Sequence, residues 1–244
     1  MEARWAGPSD PLLLDGRSLT EDDFHSVAQS HRRVGLAPGA RPALERGREA
    51  VERVVAAGAP VYGVTTGFGA LSDRFIPPES VGELQRSLVE SHASGVGPPL
   101  PRRVVRGLIL LRANSLAQGL SGVRPEVIDR LLDYLNRDLV PWVPEAGSVG
   151  ASGDLAPLAH LARTLHGEGA FVDPSGRPVP AGDLLPREGL RPIRLVEKEG
   201  LALINGTALM TSYLALAIDD LERLLRAALV ASALVYDALR GSPD

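Results

Sequence analysis

Hydrophobic side chains recur every three or four residues along much of the chain, which is the spacing of amphipathic helices. The clearest helices are predicted over Pro101–Gln118, where Gly119 supplies the stop, and over Pro125–Asn136. Three further helices are predicted: one capped by Thr20 with Asp23 in a capping box, one over Pro42–Gly58 with Val51, Val54 and Val55 on its apolar face, and one over Glu79–His92. The pattern predicts a mainly α-helical chain.

Helical spacing is interrupted in a few segments. Leu12–Leu14 is predicted as a short strand, and Asp173–Gly176 as a turn between two short strands. Pro60–Pro78 contains three glycines and has no helical period. It is predicted to be a long ordered loop, and loops of this length are often functional.

The last segment is predicted to be one very long helix, because Thr207–Leu239 contains neither Pro nor Gly and is dense in Leu and Ala. Its leucines cover more than one face, so the helix must be buried by something. Charged residues interrupt it at Asp219, Asp220, Glu222, Arg223 and Arg226, which argues against a membrane span. The rest of the chain is too short to cover this surface. We therefore expect other subunits, a further C-terminal half, or both.

Composition narrows the function classes without identifying one. The 244 residues are 44% hydrophobic and 23% charged, which is typical of a globular chain. The net charge of −4 and the absence of a basic stripe argue against nucleic-acid binding. Cysteine is absent, and no histidine spacing suggests a metal site. Because the N-terminus also lacks a basic region followed by an apolar core, we expect a cytoplasmic protein.

The candidate chemistry lies in a glycine-rich loop that contains Ala151-Ser152-Gly153 and precedes an apolar helix. The amide nitrogen of Gly153 can attack the carbonyl carbon of Ala151, since glycine has no Cβ to obstruct a tight turn. Loss of water closes an imidazolone, and loss of the Ser152 hydroxyl as a second water leaves an exocyclic methylene. The product, 4-methylideneimidazole-5-one, is a strong electrophile that requires no external cofactor or metal.

Other interpretations of this loop remain open on the tripeptide alone. Its glycines can form an anion-binding nest at a helix N-terminus, although the P-loop spacing and its lysine are missing. Ser152 can be a hydrolase nucleophile, but the last spacing of G-x-S-x-G is not met. An ordinary strand-to-helix turn is the commonest meaning of a bare Ala-Ser-Gly. Asp154 is predicted to cap the helix that follows, with Pro157 in its first turn.

The wider context of the loop is more specific. The run Gly147–His160 resembles the signature of the aromatic amino acid ammonia-lyase family, which includes histidine, phenylalanine and tyrosine ammonia-lyases and related aminomutases. Four further blocks in the same order resemble family motifs: Val61–Gly69, Leu84–His92, Arg112–Ala117 and Lys198–Thr207. The likeness runs from about Leu12 to the last residue.

This resemblance implies a fold, an activity and an assembly. The fold is the helical ammonia-lyase fold of the fumarase/aspartase type, with residues 1–206 as the N-terminal catalytic region and residues 207–244 as the truncated first helix of a central bundle. The activity is elimination of ammonia from an aromatic L-amino acid, with L-histidine and its product urocanate expected first. The assembly is a homotetramer with shared active sites. Family members are considerably longer than this chain.

The resemblance also assigns roles to individual residues. Tyr62 corresponds to the base that removes the β-proton, and Asn205 to the side chain near the ring and the substrate amine. His92, Ser91 and Gly69 correspond to substrate contacts. The Ser91-His92 pair is similar to histidine ammonia-lyases but also to bacterial tyrosine aminomutases. Thr65 and the Ala208-Leu209 pair depart from histidine lyases, which usually carry Asn and Gln there.

Two rivals to a histidine lyase stay open. A phenylalanine or tyrosine lyase, or an aromatic 2,3-aminomutase that returns the amine to Cβ, would use the same ring. An inactive fragment that only associates with helices of other chains would not use the ring. The remaining polar groups are interpreted as structural: His160 is expected to pack, and Asp219, Asp220, Glu197 and Glu199 to form solvated faces.

Overall fold

The computed structural model describes residues 10–69, 74–77 and 80–242. Within these ranges the chain forms nine helices: α1 Glu21–Ala28, α2 Arg41–Ala56, α3 Val81–His92, α4 Arg102–Ala117, α5 Pro125–Asn136, α6 Leu155–Leu165, α7 Ala181–Arg187, α8 Glu199–Ile204 and α9 Ala208–Ala238. The strands are short: β1 Leu12–Leu14, β2 Val34–Leu36, β3 Val96–Pro99, β4 Pro144–Ala146, β5 Ala170–Val172 and β6 Pro178–Pro180. The predicted mainly α-helical architecture is confirmed.

The helices with clear start and stop residues are found where they were predicted. Helix α5 has the predicted bounds, and α4 lies within one residue of them at each end. Thr20 and Asp23 form the predicted capping box of α1. On the predicted apolar face of α2, Val51 is buried together with Leu44, and Val54 and Val55 are half-buried. The predicted start of α3 at Glu79 lies outside the described residues.

Helix α4 is the centre of the core. It packs against α1, α5 and α9, and its side chains are buried on almost every face. Even Arg106 lies inside, where its guanidinium donates to the Val27 carbonyl and pairs with Asp138 at 2.8 Å. A buried cation is tolerated when it is paired and hydrogen-bonded, and Arg106 meets both conditions.

The strands form three separate two-stranded pairs. β1 and β2 are parallel, with Leu13 opposite Gly35. β5 and β6 are antiparallel on either side of the predicted Asp173–Gly176 turn, so that prediction is confirmed. β3 and β4 are also antiparallel, and they matter for function because β4 leads directly into the glycine-rich loop. Their pairing brings that loop beside the C-terminal end of α3.

Helix α9 is one continuous helix of 31 residues, as predicted. Only its first turns are buried against the core, at Ala208, Leu209, Ser212 and Leu216. Every described residue from 220 onward is exposed.

By length and composition, Glu199–Ala238 is apolar enough to cross a membrane, with 39% of its most apolar window already buried inside the protein. The stretch is broken between α8 and α9 and carries charges from Asp219 onward. Its apolarity therefore fits a helix of a protein interior at least as well as a bilayer span.

Candidate active site

The loop between β4 and α6, residues 147–154, is held in a conformation that requires glycine. Gly150 and Gly153 have φ angles of +66° and +99°, which side chains with a Cβ rarely adopt. Gly153 also packs tightly, since a Cβ there would lie 2.4 Å from the Gly206 carbonyl oxygen. The backbone of the candidate ring-forming tripeptide is thus pressed against the Asn205–Thr207 segment.

Asp154 lies at the N-cap position of α6, but its predicted capping role is wrong. Its side chain makes no capping hydrogen bond to α6. Instead the fully buried carboxylate accepts hydrogen bonds from the Leu209 and Met210 amides, at 2.8 and 3.0 Å, and so caps α9. Its second oxygen accepts from the Ser148 hydroxyl at 2.9 Å. One side chain therefore fastens both ends of the loop to the start of the longest helix.

Asn205 reaches the candidate tripeptide directly. It ends α8, and its side-chain amide donates to the Ser152 carbonyl oxygen at 3.1 Å. The Asp154 amide donates to the neighbouring Gly206 carbonyl at 2.7 Å. These contacts hold two segments together that are about 50 residues apart in the sequence.

A cavity of about 290 Å³ opens over the loop. Its lining combines the loop with the end of α3: Ser91, His92, Ser94, Gly147, Val149, Ala151, Ser152, Gly153, Leu155 and Ala156. The structure thus brings the predicted tripeptide, His92 and Ser91 to one cavity, with Asn205 bonded to its wall.

The tautomer of His92 follows from its hydrogen bonds. Nδ1 lies 2.8 Å from the Leu88 carbonyl oxygen, which can only accept, so Nδ1 carries the proton. The Ser91 hydroxyl also contacts Nδ1, at 3.2 Å. In the neutral ring Nε2 is then left as a hydrogen-bond acceptor.

The predicted residues Tyr62 and Gly69 do not line this cavity. They belong to a separate turn, in which the Gly69 amide lies 3.4 Å from the Tyr62 hydroxyl and Phe68 packs edge-on against the Tyr62 ring. Tyr62 is 52% exposed. The described part of the predicted Pro60–Pro78 loop has no α-helix, and Thr66 bridges to Phe75 across residues that lie outside the description.

His160 packs under the loop, as expected, and links two elements of the site. Its Nε2 accepts a hydrogen bond from the Gly95 amide at 3.1 Å, which joins α6 to the turn after α3. Burial, assisted by the nearby Arg163 cation, lowers the pKa of His160 to about 4. The ring is therefore neutral at physiological pH, as its acceptor role requires.

The expectation that Glu199 belongs to a solvated face is wrong. Its carboxylate is fully buried and accepts hydrogen bonds from the Arg124 guanidinium at 2.9 Å and from the Val196 amide at 3.0 Å. Beside it, Gln85 accepts from the Gly200 amide at 2.8 Å. These contacts orient α8 and so position Asn205. From sequence, only the position of Glu199 within the Lys198–Thr207 block could have indicated this positioning role.

Two helix N-termini meet at the loop. Helix α6 begins at Leu155, two residues after the tripeptide ends at Gly153, and α9 begins at Ala208, beside the segment that Asn205 anchors. Each N-terminus carries roughly half a positive charge, although the Asp154 carboxylate offsets that of α9. The arrangement favours negative charge that develops over the loop. Within the described residues, no cluster of His, Asp and Glu has the makings of a metal site.

The site consists of a tripeptide with glycine-dependent backbone angles below a small cavity in a helical protein. Comparison with known proteins identifies the family to which such a site belongs. The sequence profile of the aromatic amino acid lyases matches residues 19–244. The chain belongs to the aromatic amino acid lyase family.

Individual relatives agree with this assignment. The chain is 50% identical over 239 residues to a histidine ammonia-lyase of Anaeromyxobacter sp. (strain K), covering 96% of this chain and 47% of the relative. It is 49% identical to the histidine ammonia-lyase of Deinococcus radiodurans, covering 95% and 44%. The chain thus spans slightly less than half the length of these relatives.

Solved structures share the fold. A tyrosine aminomutase from Streptomyces globisporus superposes with a TM-score of 0.90 at 38% identity, covering 95% of this chain and 43% of that one. The histidine ammonia-lyase from Trypanosoma cruzi superposes with a TM-score of 0.88 at 36% identity, covering 96% and 45%. The ammonia-lyase helical fold is therefore confirmed, for the portion that this chain represents.

Proposed function

We propose that this chain is the N-terminal part of an ammonia-lyase that eliminates ammonia from an aromatic L-amino acid, with L-histidine and urocanate as the preferred pair. The observation that carries the proposal is the convergence of Ala151-Ser152-Gly153, Ser91 and His92 on one cavity, with Asn205 hydrogen-bonded to Ser152. The names of the relatives support the same activity.

The residues present fit a 4-methylideneimidazole-5-one group at Ala151-Ser152-Gly153. Closure needs the Gly153 nitrogen to approach the Ala151 carbonyl carbon, and positive φ at Gly153 with close packing on Gly206 favours such a compact backbone. Two waters leave, one from the Ala151 carbonyl oxygen and one from the Ser152 hydroxyl. The group would supply an electrophile that activates the substrate.

The surrounding side chains would orient and exchange protons with the substrate. Asn205 holds the Ser152 carbonyl and is proposed to meet the substrate amine. The N-terminus of α6 offsets negative charge as it develops. Tyr62 is proposed as the base for the β-proton, reaching the cavity from its exposed turn when the site is complete. Gly69 is proposed to contact the substrate from the same turn.

The preference for histidine is proposed from the chemistry of His92. Its Nε2 accepts a hydrogen bond, so a substrate ring that carries an N–H or O–H fits better than a phenyl ring. Imidazole and phenol side chains both satisfy this condition. Histidine is placed first because the relatives at about 50% identity are histidine ammonia-lyases.

A second candidate is an aromatic 2,3-aminomutase, most simply one that acts on tyrosine. It is favoured by the superposition on a tyrosine aminomutase. It is also favoured by His92, whose Nε2 can accept a hydrogen bond from a phenol hydroxyl. An aminomutase would return the amine to Cβ instead of releasing ammonia. The products therefore separate the two candidates.

We further propose a cytoplasmic homotetramer in which residues 1–206 form the catalytic region and residues 207–244 begin a shared helix bundle. The exposed leucines of α9 support this assembly. A bundle of this kind would also bring pocket residues from other segments to the cavity.

The decisive experiment is the intact mass of the purified chain, with peptide mapping across residues 147–154 and Ser152→Ala as the matched control. We expect a loss of two waters in the wild type and of at most one in the serine-to-alanine variant, which lacks the hydroxyl that leaves as the second water. Histidine and tyrosine would then be supplied, and free ammonia with an acrylate product indicates a lyase, whereas a β-amino acid indicates an aminomutase. An unmodified wild-type mass would contradict the proposed ring and favour a chain that only associates with others.

A further inference from the structure

Two buried arginines, Arg112 and Arg130, form no ion pair with the described residues, and Arg112 lines a cavity. Arg112 lies on α4 and is 5% exposed, yet no carboxylate lies within ion-pair distance of it in the described ranges. Its Nε atom is buried without a hydrogen-bond partner. Burial alone lowers the pKa of the Arg112 guanidinium to about 10, and no neighbouring charge opposes this effect. The group therefore remains charged at neutral pH.

Two other buried arginines of this chain have a carboxylate partner, whereas Arg130 has none among the described residues. Arg106 pairs with Asp138 at 2.8 Å, and Arg48 pairs with Glu197 at 2.9 Å. Desolvation of a cation costs several kcal/mol, which an ion pair and hydrogen bonds normally offset. Arg112 has neither among the described residues, so its guanidinium is available to a group of opposite charge in the cavity that it lines.

The cation opens onto a second cavity beside the candidate active site, and Asn205 and Gly206 are part of its lining. This second cavity has a volume of about 370 Å³ and shares no lining residue with the first. Its lining includes Asn114, Ser115, Gln118 and Thr207, and it contains no acidic residue. The N-terminus of α9, at Thr207 and Ala208, adds a partial positive charge to its edge. The cavity is thus polar and electropositive.

We propose that Arg112 and the start of α9 form a binding site for a carboxylate. The planar guanidinium matches two carboxylate oxygens, and hydroxyl and amide groups on the lining can donate to them. The same chemistry can come from a free carboxylate ion or from an Asp or Glu side chain of a second copy of this chain.

The site also touches the candidate active site through one glycine. A Cβ on Gly206 would lie 2.3 Å from the Arg112 Nη1 atom, and a Cβ on Gly153 would lie 2.4 Å from the Gly206 carbonyl oxygen. An anion bound to Arg112 therefore lies near Gly206, whose carbonyl oxygen packs against Gly153 of the loop. Its binding is expected to stiffen the Asn205–Thr207 segment.

The experiment is a titration with malonate against sodium chloride at constant ionic strength, followed by thermal unfolding and by calorimetry. For the wild type we expect saturable binding and a rise in Tm of about 3–6 °C at a tenfold excess over Kd. Arg112→Met should lose both effects, and Arg53→Met, which removes an exposed charge, should keep them. Arg112→Lys should bind more weakly, and it covers the case in which the methionine variant does not fold.

Sedimentation with and without malonate separates the two sources. If the carboxylate belongs to a second copy, malonate and the Arg112 substitutions will both weaken self-association. If it is a free ion, malonate will raise Tm without changing the sedimentation coefficient. The proposal is overturned if malonate neither binds the wild type nor changes its association, or if Arg112→Met and Arg112→Lys respond to malonate as the wild type does.

Discussion

At the scale of single residues, the candidate site is organised by polar side chains that each join two segments. Asp154 joins the loop to α9, Asn205 joins α8 to Ser152, and His160 joins α6 to Gly95. A buried polar group without its partner costs more than the hydrogen bond contributes, so the contacts of the buried Asp154 carboxylate strongly disfavour alternative arrangements. The geometry of the loop therefore depends on groups that lie around it.

The protonation of His160 gives this organisation a measurable pH dependence. Its pKa is about 4 in the folded chain against 6.5 for the free side chain, mainly because of burial. Between these values the unfolded chain binds more protons than the folded chain, so stability is complete above about pH 6.5 and falls as the pH drops toward 4. We expect His160→Gln, which can still accept from Gly95, to reduce this slope.

The measurement is the free energy of unfolding by urea at several pH values from 4 to 8, for the wild type and for His160→Gln. His166 also has a lowered pKa through burial, so the difference between the two curves isolates His160. Parallel curves over pH 4–6.5 would show that His160 does not carry the effect.

At the scale of elements, the sequence predicts those helices whose signals are local. Capping boxes, N-terminal prolines and three- or four-residue apolar spacing suffice for α1, α4 and α5. Helices α7 and α8 escape prediction because they are seven and six residues long, too short for a periodic pattern, and α7 contains Pro186. Their stability comes from burial of residues such as Leu185 and Leu203.

The difference between local and long-range signals also explains which parts of the site could be predicted from the sequence. The tripeptide and its glycines follow from sequence, since the chemistry and the φ angles belong to those residues. The role of Asp154 does not, because its hydrogen-bond partners lie 55 and 56 residues away. The buried pair of Glu199 with Arg124, 75 residues apart, has no local signal either.

The cap that Asp154 provides to α9 can be tested by substitution. Asp154→Ala removes the acceptor of two helix amides and of the Ser148 hydroxyl, so we expect a loss of about 2–4 kcal/mol in the free energy of unfolding. Thr20→Ala, which removes the exposed cap of α1, should cost about 1 kcal/mol. Equal losses in the two variants, measured by chemical denaturation, would contradict the special role of the buried carboxylate.

At the scale of the whole molecule, α9 is anchored at one end and unsupported at the other. Its first turns pack on α4, whereas large apolar side chains farther along are exposed, including Leu221, Leu225 and Leu229. Each leucine left in water forfeits roughly 1.5–3 kcal/mol of burial, which is a substantial part of the stability of a domain. Such a helix is expected to associate.

Association through α9 is expected to depend on its leucine stripe. Leu225→Lys combined with Leu229→Lys places charges four residues apart on one face and should weaken self-association by about tenfold or more, because two buried leucines are lost. Leu120→Lys makes the same change at a leucine that is 85% exposed outside α9 and should leave association unchanged. Sedimentation velocity over a concentration series measures both. If the wild type stays monomeric throughout, or if the Leu120 variant dissociates as readily as the α9 variant, another surface must cover these leucines.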